Sequence, residues 1–213
     1  MDFKSLKYEL QNIIAGKSSS GKTDSIQAAK AYLKTHTKAS SQTEGTKPDR
    51  TKEERALKEY AEKEHLYIEK ENLGVFITSG AEQKIYYKEN ETELYKVSDA
   101  VFYETWSDYF DNLLLHNYFF PDTAYTLTGF YKDGVKLFAV VKQSFVLQTE
   151  STNLDLVKNY LLANGFFHKK NNDYFHPALG IILEDLHDEN VLTGDGILFF
   201  VDTVFYITED FYK

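Results

Sequence analysis

The sequence predicts an α+β fold, in which helices and antiparallel strands occupy separate stretches of the chain. Three observations support this prediction. The first 65 residues carry only helical patterns, short Val-, Ile- and Tyr-rich runs begin after residue 66, and one long amphipathic stretch follows the first three of these runs. The chain has 213 residues, of which 42% are hydrophobic, so it can form one or two domains with a substantial core.

Three helices are predicted near the N-terminus. Apolar side chains recur at helical spacing over residues 3–14, 25–33 and about 52–65. Residues 35–52 are rich in Ser, Thr, Lys and Gly and hold almost no apolar side chain, so burial cannot offset the entropy of ordering them. We therefore expect a helical extension over residues 1–65 that contains a flexible linker.

The next stretch reads as a small sheet with one helix packed on it. Short runs bounded by turn formers predict strands at 74–78, 84–88 and 93–97. A helix is predicted over about 100–118 and ends before Pro121. Its expected apolar face comprises Val101, Phe102, Trp106, Phe110, Leu113 and Leu114.

Two further strands, 124–131 and 136–146, are predicted to form a hairpin that turns at Asp133-Gly134. A helix over 152–164 follows, and a glycine closes it.

The C-terminal part of the chain is predicted to consist of paired short strands. Candidates are 165–169 and 174–175, followed by the apolar runs 181–183 and 197–201. The acidic segment described below lies between the last two runs.

Composition excludes several classes of protein. The chain has no cysteine, which rules out disulfide frameworks and thiolate zinc sites. No apolar stretch approaches 18 residues and no signal-type N-terminus is present, so we expect a cytoplasmic protein that does not span a membrane.

Charge is unevenly distributed along the chain. Residues 1–60 hold 12 basic and 8 acidic side chains, whereas residues 61–213 hold 12 and 25. An acidic body makes a nucleic-acid partner unlikely, because the phosphate backbone repels it. The weakly basic N-terminal arm is expected to be solvated.

The most informative motif is the segment Asp185-Leu186-His187-Asp188-Glu189-Asn190, which we call the acid–amide loop, together with Asp202 at the end of the next apolar run. Mg²⁺ prefers oxygen ligands and usually binds one or two carboxylates plus substrate phosphates. Asn190 and Asp202 can supply such oxygens, and Asp185 can accept a proton from an attacking hydroxyl.

Simpler readings of these residues remain open. Asp and Asn also favour turns, because their side chains bond to nearby backbone, so the loop could be a structural hairpin turn. His187 could be a metal ligand or a hydrogen-bonded member of the loop. Lys96, in the third predicted strand, could be an ordinary exposed lysine.

A second motif competes with the first. Residues 16–23, Gly-Lys-Ser-Ser-Ser-Gly-Lys-Thr, satisfy the P-loop expression. A working P-loop needs a strand before it and a helix after it, yet the preceding residues have helical period. We therefore favour a chance match in an interhelical loop.

The acid–amide loop resembles the D-x-H-x-x-N catalytic loop of aminoglycoside phosphotransferases, within the protein-kinase-like superfamily. The whole of residues 66–213 more narrowly resembles the polyvalent protein kinase domains of bacterial mobile elements. The segments Trp106-Ser107-Asp108, Leu114 to Pro121 and Val140-Val141-Lys142-Gln143 carry that likeness.

The resemblance implies a site for ATP and Mg²⁺. Asp185 would be the catalytic base, and Asn190 and Asp202 would ligate the metal. Lys96 would hold the α- and β-phosphates. Glu104, on the helix that follows, would pair with this lysine, with Asp108 as the alternative partner; Glu104 could also simply favour the helix dipole.

The resemblance also assigns the surroundings of the nucleotide. Gly80 and Gln83, between the first two strands, would belong to a loop that covers the phosphates. Val141 and Gln143 would belong to the hinge that meets adenine.

The implied architecture is protein-kinase-like: a small antiparallel sheet with one packed helix at 66–148, a reduced second lobe at 149–213 and the helical N-terminal extension. The implied function is a minimal kinase-like protein that binds Mg-ATP and transfers phosphate to a hydroxyl acceptor, which the sequence does not name. The alternative is a pseudokinase-like binding module, in which the N-terminal helices hold a protein partner.

Overall fold

The computed structural model describes residues 2–17, 24–37 and 49–213. Its helices are α1 (Phe3–Ile14), α2 (Ser25–Thr37), α3 (Arg50–Lys63), α4 (Trp106–Phe119) and α5 (Leu154–Ala163). None of the helices in this part of the chain combines the length and apolar character that crossing a lipid bilayer requires.

Eleven strands complete the described fold. They are β1 (Val75–Ser79), β2 (Lys84–Tyr87), β3 (Glu93–Ser98), β4 (Thr126–Asp133), β5 (Lys136–Ser144), β6 (Phe167–Lys170), β7 (Asp173–His176), β8 (Ile181–Glu184), β9 (Val191–Gly194), β10 (Ile197–Phe200) and β11 (Val204–Ile207). They form a five-stranded sheet in the order β1-β2-β3-β5-β4, a four-stranded sheet in the order β11-β8-β7-β6, and the pair β9-β10. All strand pairs in these sheets are antiparallel, which confirms the predicted α+β class.

The described residues divide into two compact units. The sheet unit comprises residues 24–37, 49–110 and 125–145, and the loop unit comprises residues 2–17, 111–124 and 146–213. This division differs from the predicted boundaries at 1–65, 66–148 and 149–213, because α1 groups with the C-terminal strands whereas α2 and α3 group with the five-stranded sheet.

In the sheet unit, one face of the sheet and the two N-terminal helices supply the core. Tyr95, Val97, Phe138 and Val140 share one face of the central strands and pack on Leu73. Helices α2 and α3 bury their apolar stripes, which consist of Ile26, Ala29 and Leu33 on α2 and Ala56, Leu57 and Ala61 on α3. The apolar side chains that predicted α2 and α3 are therefore the ones that these helices bury within the chain.

Arg50 fixes the segment that leads into α4. Its guanidinium donates hydrogen bonds to the carbonyls of Asp99 (2.7 Å), Ala100 (2.9 Å) and Tyr103 (2.7 Å). The same guanidinium lies 5.5 Å from the ring centroid of buried Trp106. Three carbonyls that a helix would use internally are thus bound by one cation, which keeps residues 99–103 out of the helix.

Glu53 on α3 caps the N-terminus of α4. Its carboxylate accepts hydrogen bonds from the backbone N–H of Trp106 (2.7 Å) and Ser107 (3.4 Å) and from the Ser107 hydroxyl. Asp108 accepts from the backbone and hydroxyl of Thr105, which closes a second cap. These acceptors satisfy N–H groups that every helix leaves unpaired at its start.

The predicted helix over 100–118 therefore started six residues too early, whereas its predicted end lies within one residue of Phe119. Val101 and Phe102, assigned to its apolar face, precede the helix and are 62% and 52% exposed. Ala100 has a φ of +53°, a left-handed conformation that a helix cannot continue through.

Other differences are smaller. Helix α2 extends to Thr37 and α3 begins at Arg50, so both ends of the predicted linker at 35–52 are helical; residues 38–48 lie outside the described part. Strands β9 and β11 were not predicted; in the fold they pair with the predicted strands β10 and β8 respectively.

The P-loop string lies largely outside the described residues. Gly16 and Lys17 follow Ala15, the C-cap of α1, and residues 18–23 belong to the part that the structure does not describe. The element before the string is a helix, as the rejection of a P-loop assumed, and β1 is the first strand in the described chain.

In the loop unit, α1 packs against the turn at the end of the chain. Lys7 Nζ and Gln11 Nε2 each donate a hydrogen bond of 2.5 Å, to the carbonyls of Asp210 and Phe211 respectively. Phe3 meets the ring of His176 edge-on, with the centroids 4.8 Å apart. These contacts make α1 part of the same compact unit as the acid–amide loop.

We expect Glu53→Ala to lower the free energy of unfolding by about 2 kcal/mol, because the N–H groups of Trp106 and Ser107 lose their buried acceptor. Chemical denaturation at neutral pH measures this. The matched control is Glu59→Ala on the same helix. The Glu59 carboxylate is exposed and its contact with Arg55 is long, at 3.9 Å, so its loss should cost less than about 0.5 kcal/mol. Equal losses for the two variants would contradict the capping role.

Lys30 gives the stability a pH dependence. Burial lowers the pKa of its ammonium to about 7, although the carboxylates of Asp108 and Glu53 oppose this shift. Between this value and the ordinary lysine pKa the unfolded chain binds the extra proton, so stability should rise with pH by at most about 1.4 kcal/mol per unit. Below about pH 7 both the folded and the unfolded chain bind this proton, so the slope disappears and the folded state carries the full cost of the buried ammonium.

Denaturation of the wild type and of Lys30→Met between pH 7 and pH 9 tests this expectation. The variant should lose the positive slope and be more stable than the wild type at pH 7. Lys34→Met on the same helix is the control and should keep the slope; parallel pH curves for the wild type and Lys30→Met would disprove the assignment.

Candidate functional site

The acid–amide loop connects β8 to β9 and is held by its own side chains. Asn190 Nδ2 donates one hydrogen bond to the Asp185 carbonyl and another to Asp185 Oδ2, both 2.8 Å long. Asp185 has a φ of +66°, a left-handed conformation that Asp and Asn tolerate better than most residues. Residues five positions apart in the sequence are thereby brought into direct contact.

Asp202 joins the same cluster through the backbone. The Asn190 carbonyl accepts hydrogen bonds from the N–H groups of Val201 (2.9 Å) and Asp202 (3.3 Å). In addition, Glu184, the last residue before the loop, pairs with Val204 in the ladder between β8 and β11. Asp185, Asn190 and Asp202, predicted as one site, are therefore neighbours in the loop unit.

The donor set of this cluster fits a magnesium ion. Because Asn190 uses its amide nitrogen on Asp185, its Oδ1 is the atom that can face a cation, and Asp202 adds carboxylate oxygens. One amide and one carboxylate match the few protein ligands that Mg²⁺ needs beside phosphates and water. Among the described residues, no group of three or more His, Cys, Asp and Glu side chains forms a metal-holding cluster of its own.

His187 is a structural member of the loop. Its Nδ1 accepts from the Glu189 N–H at 3.3 Å, and its carbonyl accepts from the N–H groups of Asn190 and Val191 at 3.0 Å. Its Nε2 lies 3.4 Å from Asp185 Oδ1. These contacts support the structural alternative given for this histidine rather than the metal-ligand one.

Further acids surround the loop. Asp173 Oδ1 accepts a hydrogen bond of 3.4 Å from the Asp185 N–H. Burial, and next the Asp173 carboxylate, raise the pKa of Glu184. Carboxylates crowded in this way favour any cation that approaches the loop.

The structure adds a buried residue that the sequence analysis did not single out. His116 on α4 is fully buried; its Nδ1 lies 2.7 Å from Thr203 Oγ1 and its Nε2 lies 2.9 Å from the Thr123 carbonyl. A carbonyl can only accept, so Nε2 carries the proton and Nδ1 accepts from the Thr203 hydroxyl. Thr203 directly follows Asp202.

Two more contacts hold the same segment. Thr123 Oγ1 donates a hydrogen bond of 2.5 Å to the carbonyl of Phe200, two residues before Asp202. Asn112, one helical turn before His116, accepts the Phe205 N–H at 2.8 Å. The backbone on both sides of Asp202 is thus fixed by polar side chains. The available signal in the sequence was the polar pair Asn112 and His116, spaced i and i+4 on either side of the apolar run Leu113-Leu114-Leu115.

In the sheet unit, Lys96 lies at the centre of the sheet. It is 4% exposed, and its Nζ lies 5.4 Å from the ring centroid of Tyr125. It is therefore not the ordinary exposed strand lysine that was considered, because burying an ammonium is costly unless the site compensates it. Val141 pairs directly with Lys96, and so their side chains share one face of the sheet.

Gln143 lies on the same face, opposite Leu94, and is 2% exposed. Lys96, Val141 and Gln143 therefore form one buried row. However, residues 140–143 belong to the interior of β5, which continues to Ser144, and so they are not the connecting segment that a hinge would be. This corrects the local structure assumed for Val141 and Gln143.

Gly80 and Gln83 form the turn of the β1–β2 hairpin, where the Gly80 N–H donates to the Gln83 carbonyl at 3.0 Å. A methyl group added to Gly80 would meet open space. The turn therefore has the predicted position between two strands, but its geometry does not depend on glycine.

The predicted carboxylate partners of Lys96 are placed differently. Glu104 is exposed and precedes α4, so it lies before the helix on which it was expected. Asp108 is in the helix, but its carboxylate caps Thr105 as described above.

The predicted site residues thus form two local groups, one in each unit. The loop unit holds Asp185, Asn190 and Asp202, and the sheet unit holds Lys96 with its neighbours on one sheet face.

Comparison with known proteins gives one positive result. The family described as "Serine/Threonine/Tyrosine Kinase found in polyvalent proteins" matches residues 50–209. Neither the curated proteins nor the solved structures provide a match. Because residues 50–209 make up well over half of the chain, the protein belongs to this family of kinases found in polyvalent proteins.

Proposed function

We propose that the protein binds Mg-ATP and transfers the terminal phosphoryl group to a hydroxyl acceptor. The observation that carries the proposal is the contact between Asn190 and Asp185, closed by the hydrogen bond from the Asp202 N–H to the Asn190 carbonyl. It gathers a proton acceptor and two oxygen ligands, which are the groups that phosphoryl transfer needs from a protein.

Each residue of the acid–amide cluster has a separate role in the proposal. The acceptor oxygen attacks the terminal phosphorus, the bond from that phosphorus to the bridging oxygen breaks, and ADP leaves. Asp185 takes the proton of the acceptor hydroxyl and orients it for attack. Asn190 Oδ1 and Asp202 would hold Mg²⁺, which, when bound, neutralises charge on the phosphate oxygens.

Lys96 supports the proposal from the sheet unit. A buried ammonium among Val141, Gln143 and the ring of Tyr125 is suited to binding an anion, because a low-dielectric setting strengthens its electrostatic attraction. We assign it to the α- and β-phosphates. Gly80 and Gln83 would cover the phosphates from the hairpin turn, and Val141 and Gln143 would contact the nucleotide.

A second candidate is nucleotide binding without transfer. One observation favours it: of the two carboxylates assigned to the lysine, Glu104 precedes α4 and Asp108 accepts hydrogen bonds from Thr105 at the start of that helix. In this reading the exposed faces of the N-terminal helices would hold a protein partner.

Three variants separate these candidates. Asp185→Asn should reduce ATP turnover at least about a hundredfold and leave Mg-ATP binding nearly unchanged, because only the proton acceptor is lost. Asp202→Ala should abolish the Mg²⁺-dependent part of nucleotide affinity, and Lys96→Met should weaken binding with or without Mg²⁺. Calorimetric titration with ATP measures binding, and an assay of ADP formation measures turnover, because ADP is the product that leaves whatever the acceptor is.

The control is Asp188→Asn, which removes an exposed carboxylate from the same loop and should change neither binding nor turnover. Binding of Mg-ATP by the wild type without turnover would support the second candidate. If millimolar Mg-ATP neither binds to nor thermally stabilises the wild type, both candidates fail.

The contacts of His116 predict that it positions Asp202 without touching the metal. His116→Leu keeps the volume but removes both hydrogen bonds, so Mg²⁺-dependent nucleotide affinity should fall about tenfold, as for other residues that support metal ligands. His116→Gln can donate to Thr123 and accept from Thr203, and so it should recover part of the loss. Titration with Mg²⁺ and with Mn²⁺ at fixed nucleotide provides the readout.

His176 is the matched control, because it is another buried histidine of the loop unit and packs between Phe3 and Phe166. His176→Leu should lower the melting temperature without changing Mg²⁺-dependent affinity. Equal losses of affinity in the two histidine variants would reduce the role of His116 to general stability.

A further inference from the structure

The loop unit contains a cavity of about 420 Å³ that the proposed phosphoryl transfer does not use. One face of α1, the end of α4 and the end of α5 line it, and it is open to solvent on one side. Its apolar wall is formed by Leu6, Phe119, Phe120, Leu161 and Phe166. Both the volume and the apolar wall are typical of sites that take small molecules.

The charges around this cavity have a single sign. Asp2, the N-cap of α1, and Glu9 on that helix contribute two carboxylates, and among the described residues no lysine or arginine lines the cavity. Tyr118 donates a hydrogen bond of 3.1 Å to Glu9 Oε2, which orients that carboxylate at the cavity. Burial, followed by Glu9, raises the pKa of the Tyr118 hydroxyl, so it stays a neutral donor.

Two helix ends add to the negative potential. The C-terminal residues of α4, Tyr118 and Phe119, and those of α5, Tyr160 and Leu161, all line the cavity. The C-terminus of a helix carries partial negative charge, and the last turn of α5 contains no basic residue to offset it. The first turn of α1 also lines the cavity, and the Asp2 carboxylate caps its positive end. The summed charges therefore disfavour an anion in this cavity.

The aromatic side chains favour the same class of ligand. Tyr118, Phe119 and Tyr160 present rings to the cavity, and the faces of such rings attract ammonium groups. From these observations we propose that the cavity binds a small organic ammonium ion with an aromatic or aliphatic body. The body occupies the apolar wall, and the ammonium faces Glu9 and Asp2.

This inference does not depend on the proposed kinase function, since it uses neither the acid–amide loop nor Lys96. Phenethylamine is a suitable probe. Its matched neutral and anionic analogues are 2-phenylethanol and phenylacetate, which keep nearly the same body and change only the charge.

Titration of the full chain with the three probes, followed by calorimetry and by protein NMR, tests the proposal. Phenethylamine should bind at least about fivefold tighter than 2-phenylethanol, the factor expected for a partly exposed ion pair, and phenylacetate should not bind. The preference should shrink at 1 M NaCl. Glu9→Gln should remove most of it, whereas Glu209→Gln, on the exposed turn near the chain end, should leave it unchanged.

Filling the cavity gives a second test. Leu6→Trp should abolish binding of phenethylamine, while Tyr8→Trp, at a 68% exposed position of the same helix, should not. Equal affinity for all three probes, or no binding of any probe, would overturn the inference. Asp202→Ala should bind phenethylamine as tightly as the wild type, because Asp202 does not line the cavity. Amine binding and nucleotide binding can therefore fail independently, which distinguishes the two proposals.

Discussion

The side-chain amide of Asn190 is the interaction on which the candidate site depends. By donating to both the carbonyl and the carboxylate of Asp185, it fixes the loop at a residue whose backbone is already left-handed. The same residue's carbonyl accepts the N–H of Asp202. One asparagine therefore sets the spacing of an acid, an amide and a second acid, so the loop has this geometry without a ligand.

A second layer of polar contacts determines where Asp202 can be. His116, Thr123 and Asn112 are buried, and each bonds to the segment between Phe200 and Phe205. Buried polar groups must be paired, so the positions of this helix and of this segment are mutually constrained. The polar residues of α4 thus help to fix the position of this helix as its apolar residues do, although they contribute little to a hydrophobic pattern.

Much of the fold follows from local sequence patterns, and the departures have physical reasons. Strands β1, β2 and β3 were predicted to within a residue or two, because turn formers bound each one. The predicted start of α4 was wrong, because the apolar spacing extends back to Val101. In the fold, Arg50, far away in sequence, binds the carbonyls that a helix over these residues would need. Tertiary contacts of this kind leave no trace in local periodicity.

The candidate site was predictable to different degrees. The cluster of Asp185, Asn190 and Asp202 follows from spacing and turn chemistry, because all three lie within one short series of strands. The burial of Lys96 could not be derived from its strand, where one charged residue interrupts an apolar run. The role of His116 could not be predicted either, because its partners Thr123 and Thr203 become neighbours only in the folded chain.

The ladder between β8 and β11 also bears on how the chain folds. Pairs such as Glu184 with Val204 join residues about twenty positions apart, so closing this segment costs little chain entropy. Contacts of such short range usually form early, whereas those to His116 span much more of the chain. The acidic cluster is thus expected to assemble in nascent form first, and docking of α4 onto it is the later, slower step.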